Sequence, residues 1–104
     1  MIITTTDYIP GKEIKEAIDI ARGSTIRARH LGRDIFSGLK NIFGGEISEY
    51  TKLMADAREQ AIERMIADAE SIGADAVINV RFTTSMVMQG SSEILAYGTA
   101  VKLG

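Results

Sequence analysis

The sequence feature that most restricts the fold is a long run of apolar residues at helical spacing, over residues 47–72. Apolar side chains recur three or four residues apart with polar side chains opposite, which is typical of an amphipathic helix. Gly73 follows directly and predicts a left-handed helix stop. A continuous helix over this run measures about 39 Å at 1.5 Å per residue. This is long for a chain of 104 residues.

The residues after this helix predict a β-hairpin. Apolar and polar side chains alternate up to Met88, a polar stretch interrupts at residues 89–92, and residues 93–103 form a second strand. With a four-residue loop, Met88 lies opposite Glu93, and nearly every apolar side chain falls on one face of the hairpin. A slip of one residue would mix the two faces, so the pattern favours this register.

The other face of the predicted hairpin carries the small residues Ala96, Gly98 and Ala100. Small side chains allow another backbone to approach closely. Two interpretations stay open for this face: it is exposed to solvent, or it contacts another subunit.

The first half of the chain gives less definite patterns. Residues 12–23 fit the spacing of a helix and also the alternation of a strand, and a run this short leaves both open. Residues 34–43 predict a shorter helix with Asp34 as its N-cap. Gly44 and Gly45 end that helix and form the corner before the long one.

The length of the second helix also predicts self-association. A strand of eight residues covers about 27 Å, so the helix would overhang a small sheet and expose part of its apolar stripe. We therefore expect a homo-oligomer.

Length and composition place the chain among ordinary globular proteins. With 104 residues, of which 45% are hydrophobic and 25% charged, we expect a single α/β (α+β) domain over residues 1–104. The absence of cysteine excludes disulfides and thiolate chemistry. The sequence shows neither a signal-peptide pattern nor eighteen consecutive apolar residues, so we expect a cytoplasmic protein that does not span a membrane.

Several segments in order resemble the YbjQ-like family of small bacterial and archaeal proteins. The likeness covers nearly the whole chain and is carried by "GRDIFSGLKNIFGGEISEYTKLMADAREQAIERM", "AESIGADAVINVRF" and "YGTAVKL". The resemblance implies a dodecin-like two-layer fold, with an antiparallel sheet packed on a long helix. It also implies a strand over residues 12–26 and assembly into a ring-shaped homopentamer.

Residues that match the family pattern are structural. They are Gly44, Gly45 and Glu46, the turn at residues 73–76, and residues 98–100. Family members are often labelled heavy-metal-binding proteins, and no catalytic residue is carried over with the resemblance.

This label suggests a divalent metal ion as a cofactor. Soft metal ions prefer thiolate and imidazole ligands, and the chain has a single histidine and no cysteine. Oxygen-rich ligands would favour harder ions. The candidate ligands are His30, Asp34, Glu46 and Glu49. A lone histidine in a basic stretch is more often a surface residue, so the composition weakens the metal interpretation.

Positive charge is concentrated in residues 22–40, which hold five basic residues and one acid, whereas the whole chain carries −2. The candidate anion-binding residues are Arg27, Arg29 and Arg33. Nucleic acid is disfavoured because only Phe36 offers an aromatic stacking partner nearby. Pairing with the acidic face of a neighbouring subunit's long helix, through Asp56, Glu59 or Glu63, is the stronger hypothesis.

Catalysis has the least support. One histidine and scattered acids form no recognisable triad, and Gly44–Gly45 precede an acid where a phosphate loop would need a lysine. The sequence therefore predicts a homo-oligomeric binding or scaffolding protein rather than an enzyme, with a metal-handling protein as the alternative.

Overall fold

A computed structural model describes residues 1–28, 45–88 and 91–104. Within these residues the chain is a mixed α+β structure, with a four-stranded sheet in the order β1-β3-β4-β2 and one helix packed on it. The elements in chain order are β1 (Ile2–Ile3), β2 (Ile14–Ala28), α1 (Gly45–Ser71), β3 (Ala76–Met88) and β4 (Ser91–Leu103). The predicted shorter helix at residues 34–43 lies outside the described residues.

The long helix is confirmed as α1. Its buried stripe repeats every four residues, and each member is fully inaccessible to solvent: Ala57, Ala61, Met65 and Ala69. Gly73 has φ of 77°, as the stop signal predicted. Its N–H donates to the Glu70 carbonyl at 3.0 Å, and the Ala74 N–H donates to the Ala69 carbonyl at 3.1 Å. This pair of bonds is a Schellman motif, which satisfies the last carbonyl groups of the helix.

The ambiguous segment before the helix is a strand. β2 runs over 15 residues and pairs antiparallel with β4, with register shifts near Ala17. The strand that the family resemblance implies over residues 12–26 is therefore confirmed over most of its length. The segment is a strand rather than a helix because it pairs with β4 and packs beneath α1. A short local pattern shows neither of these contacts.

The hairpin of β3 and β4 is confirmed, but its predicted register is wrong. Arg81 lies opposite Tyr97 and Phe82 lies opposite Ala96. Two residues rather than four separate the strands, since β3 ends at Met88 and β4 begins at Ser91. In the predicted register Phe82 would lie opposite Thr99, so the observed pairing is shifted by three residues here. Because this number is odd, Phe82 lies on the face that carries the small side chains.

A bulge at Asn79 breaks the simple alternation. Asn79 has φ of 54°, and the register between β3 and β4 shifts between Ile78 and Arg81. Asparagine tolerates this left-handed conformation better than most residues. Ile78 therefore packs away from α1 in the cluster around Ile9, whereas Val80 packs beneath α1.

The face with small residues is the buried face of the sheet. Ala96 and Ala100 are fully buried in the core cluster beneath α1, so neither open interpretation of that face is correct. The approaching backbone belongs to the chain's own helix, which comes closest at Gly23.

The argument from helix overhang assumed strands of about eight residues, whereas β3 has 13. A strand of 13 residues covers about 43 Å and the 27 residues of α1 cover about 40 Å. The comparison of lengths therefore no longer supports an overhang, and the case for assembly has to come from other surfaces.

Candidate functional site

The predicted ligand residues fall largely outside the described structure. Four of the seven lie outside the described residues: Arg29, His30, Arg33 and Asp34. Glu46 and Glu49 lie in the first turns of α1 and Arg27 lies near the end of β2, but only their backbone is described. Within the described residues, no group of three or more histidine, cysteine, aspartate or glutamate side chains is placed to hold a metal ion.

The described residues leave much of one surface uncovered, the side of the sheet that faces away from α1, which we call the outer face. Residues directly opposite on neighbouring strands share a face, so the pairings assign its members. They are Ile20, Arg22, Ser24 and Ile26 on β2, Glu93, Leu95, Tyr97 and Thr99 on β4, and Arg81, Thr83 and Ser85 on β3.

Only one end of the outer face is covered by the described chain. Ile9, from the loop after β1, packs there with Ala76, Ile78 and Val101. Beyond this cluster large apolar side chains reach solvent, with Ile20 59%, Ile26 57% and Tyr97 38% exposed. These side chains share one structured face, with Arg22 and Ser24 between Ile20 and Ile26 along β2. Exposed apolar side chains on such a face favour an interaction surface.

Charges differ between the two sides of the molecule. The outer face carries Arg22 and Arg81 on either side of Tyr97. Glu93 is the acidic residue among its assigned members. The Arg22 side chain is exposed and has no hydrogen-bond or ion-pair partner among the described residues. On the solvent side of α1, four exposed acids accompany the bases Lys52 and Arg58; these acids are Asp56, Glu59, Glu63 and Glu70.

The β2 edge of the sheet is closed by side chains. The Arg22 N–H, which points away from β4, donates to Asp68 Oδ2 at 3.0 Å. One helical turn earlier, Arg64 Nη1 donates to the Ser24 carbonyl oxygen. The Ile20 N–H donates to Asp19 Oδ1 at 2.7 Å. These contacts occupy the groups that another strand would need.

The β3 edge is closed at one end and open at the other. Residues 2–6 follow β3 through its bulge, with the Val80 N–H donating to the Thr4 carbonyl at 3.0 Å. Arg81 Nη1 donates to the Thr5 carbonyl at 2.9 Å and to its neighbour Val80 at 2.8 Å. After Arg81 no described residue pairs with this edge. Residues 82–88 therefore form an edge that the described residues leave unpaired, and they include no charged side chain.

Thr25 is the one polar residue buried in the described core, at 1% exposure. Its hydroxyl has no hydrogen-bond partner within the described part of the chain. Thr25 lies opposite Ile94, on the sheet face packed against α1 and closed to solvent. Packing rather than ligand binding accounts for its position.

Sequence reasoning missed both the outer face and the open edge. The face depends on the observed register, and the edge depends on the strand order. A usable signal for the edge did exist, because residues 82–88 lack charge and proline, the usual protections of an edge strand.

The described residues contain no helix with both the length and the apolar character needed to cross a membrane.

Comparisons with known proteins agree on the family. A family model described as "Putative heavy-metal-binding" matches residues 1–104. A UPF0145 protein from Methanosarcina acetivorans is 65% identical over 103 residues, covering 99% of this chain and 97% of the relative. UPF0145 proteins from Archaeoglobus fulgidus and Colwellia psychrerythraea are each 57% identical over 99% of this chain, covering 95% and 98% of those relatives.

Among solved structures, a protein of unknown function from Pediococcus pentosaceus ATCC 25745 has a similar fold, with a TM-score of 0.65. The alignment covers 100% of this chain and 98% of the other at 17% identity, so the likeness concerns the fold alone. The family model over the full chain and the relatives at 57–65% identity show that this chain belongs to the YbjQ-like family.

Proposed function

We propose that this chain is a non-enzymatic binding or scaffolding protein of the cytoplasm whose copies assemble into a closed ring of five. The observation that carries the proposal is the outer face, where Ile20, Ile26 and Tyr97 are exposed on a regular sheet. The number five follows the pentamer that the family resemblance implies. The proposal includes the dodecin-like arrangement, a single domain over residues 1–104 and the predicted short helix at residues 34–43.

The exposed side chains of the outer face support assembly. In a single chain, Ile20, Ile26 and Tyr97 leave apolar area in water. A contact between copies would remove this area from water.

Charge supports contact between two different surfaces. The outer face presents Arg22 and Arg81, and the solvent side of α1 presents acids that include Asp56, Glu59 and Glu63. Packing the outer face of one copy on α1 of the next places opposite charges together. Such a head-to-tail contact repeats with the same rotation each time, and it produces a ring when the rotation closes.

Replacing Ile20 by glutamate tests the outer face. In the ring, the glutamate would be buried against the acidic side of α1 of the next copy, and burying an unpaired charge costs several kcal/mol. We expect native mass spectrometry to show a pentamer-based mass for the parent and only one or two chains for Ile20→Glu. Ile72→Glu is the matched control, because Ile72 is exposed but lies beyond the end of α1. An unchanged mass for Ile20→Glu would rule out the outer face as the ring contact.

The alternative function is metal handling, and the description of the matching family model is what favours it. It would use His30 with Asp34, Glu46 and Glu49, from one chain or from neighbours around the ring. Anion binding through Arg27, Arg29 and Arg33 is a further, less supported use of the same part of the chain.

A titration separates metal handling from scaffolding. We expect the purified protein to retain no metal and its native mass to stay unchanged when zinc or nickel is added, since one histidine and no cysteine make a poor soft-metal site. Stoichiometric metal that is lost in the His30→Ala variant would instead favour the metal-handling function.

A further inference from the structure

We propose that the open edge of β3 pairs with the same edge of a second copy, antiparallel, about a two-fold axis at Thr84. This contact is distinct from the outer-face contact proposed above and does not depend on it. It uses residues 82–86, the part of β3 that residues 2–6 leave unpaired.

The direction of the backbone groups follows from the neighbouring bonds. The Val80 N–H bonds to Thr4, so it points toward the free side of β3. The register is regular from Arg81 to Met86, and alternate residues of a strand point their N–H and C=O groups to the same side. Phe82, Thr84 and Met86 therefore present their N–H and C=O groups along the open edge.

The β2 edge gives the same assignment independently. The Arg22 N–H points away from β4, so Gly23 is among the residues that bond to β4. Its partner Ala96 then bonds toward β2, and the adjacent Tyr97 bonds toward β3. Because Arg81 lies opposite Tyr97, Arg81 uses its groups on β4 and the next residue, Phe82, faces outward.

The open edge is complementary to itself. In an antiparallel pair centred on Thr84, Thr84 faces its own copy and Phe82 faces Met86 of the second copy. All three residues point their backbone groups toward the partner, which gives roughly six hydrogen bonds between the strands. Phe82 is 44% and Met86 76% exposed in the single chain, and each would gain an apolar neighbour.

The other edge does not offer the same pairing. A second strand could reach the middle of β2 only by displacing Asp68 from the Arg22 N–H and Arg64 from the Ser24 carbonyl. Residues 82–88 contain no charge that would oppose a second copy. Within the described part of the chain, the β3 edge is thus where the sheet can extend, and its own copy is the partner that matches it in hydrogen bonds and in side chains.

A single cysteine tests the two-fold axis, since the chain has no other cysteine. Residues that exchange both hydrogen bonds lie about 5.5 Å apart between Cα atoms, within the range that a disulfide spans. We expect Thr84→Cys to form a covalent dimer under mild oxidation, seen on a non-reducing gel. Thr83→Cys is the control, because residue 83 would face Ser85 of the second copy rather than itself. Equal cross-linking of both variants, or none at Thr84→Cys, would overturn the proposal.

A charge exchange at the same position tests the contact without a covalent bond. Lysine at position 84 would face lysine, and glutamate would face glutamate, so each variant repels its own copy. By native mass spectrometry we expect Thr84→Lys and Thr84→Glu each to have half the mass of the parent assembly. A mixture of the two variants should recover the full mass.

The mixture distinguishes this pairing from other uses of the edge. Recovery requires residue 84 to face residue 84, so a mixture that stays at half mass would overturn the two-fold arrangement, as would an unchanged mass for Thr84→Lys. Failure of the ring would be seen separately, because Ile20→Glu leaves residue 84 intact and the Thr84→Cys cross-link should then persist.

Discussion

Replacing Gly23 by alanine is expected to lower the free energy of unfolding by a large amount. A methyl group at this position would overlap the backbone of Met65 and Ala61 and lie 2.6 Å from the carbonyl carbon of Arg64. Backbone atoms cannot rotate away, so α1 would have to move off the sheet. Overpacking a core costs 1–3 kcal/mol or more, and we expect about 3 kcal/mol here. Urea unfolding followed by circular dichroism measures this loss.

Gly11→Ala serves as the control for that experiment. Gly11 has φ of 75°, but nothing lies within 4 Å of an added methyl group. Its substitution should therefore cost only the backbone strain, about 1–2 kcal/mol. If Gly23→Ala unfolds at the same urea concentration as the parent, the backbone of α1 does not approach β2 as closely as described.

Met65→Ala should give the second large effect. Met65 is fully buried and is among the largest side chains of the core cluster, between Ala61 and Ala69 on the stripe of α1. Its neighbours on the stripe are alanines, which cannot fill the space that it leaves. Truncating a buried methionine costs about 2–5 kcal/mol, and we expect the upper part of this range.

Chemical unfolding of Met65→Ala is best compared with that of Met54→Ala. Met54 lies on the same helix, but it is only partly buried at the border of the core cluster. We expect Met54→Ala to lower the free energy of unfolding clearly less than Met65→Ala does. A loss from Met54→Ala that equals or exceeds the loss from Met65→Ala would place the centre of the core elsewhere along α1.

The features that the sequence predicted well are local ones. The spacing of apolar residues and the stop at Gly73 predicted α1 within two residues of its ends. The alternation on either side of residues 89–92 predicted two antiparallel strands. Each of these signals is contained in a few neighbouring residues, so no knowledge of strand order is needed.

Features that depend on distant contacts were not predicted. Asn79 adds one residue to β3 relative to β4, and an alternation pattern does not show which residue is the extra one. The face that carries Ala96 was expected to be exposed to solvent or to contact another subunit. Ala96 is small and buried, since the helix backbone approaches the sheet closely beside it at Gly23.

The candidate site also depends on distant contacts, which the sequence did not predict. The predicted ligands were chosen by residue type, and His30 and Asp34 lie outside the described residues. The outer face and the open β3 edge are defined by which strands are neighbours. Strand order is set by the whole chain, so the sequence could indicate the edge only through the missing charges of residues 82–88.

The bond from the Arg22 N–H to Asp68 has a consequence for how the protein opens. At most sheet edges, backbone amides exchange their hydrogen with solvent freely, but here the acceptor is a side chain of α1. Exchange of the Arg22 amide therefore requires this bond to break, by movement of α1 away from β2 or by rotation of the Asp68 side chain, even while β2 stays paired with β4. A single backbone amide thus reports a contact between the two layers independently of the unzipping of the sheet.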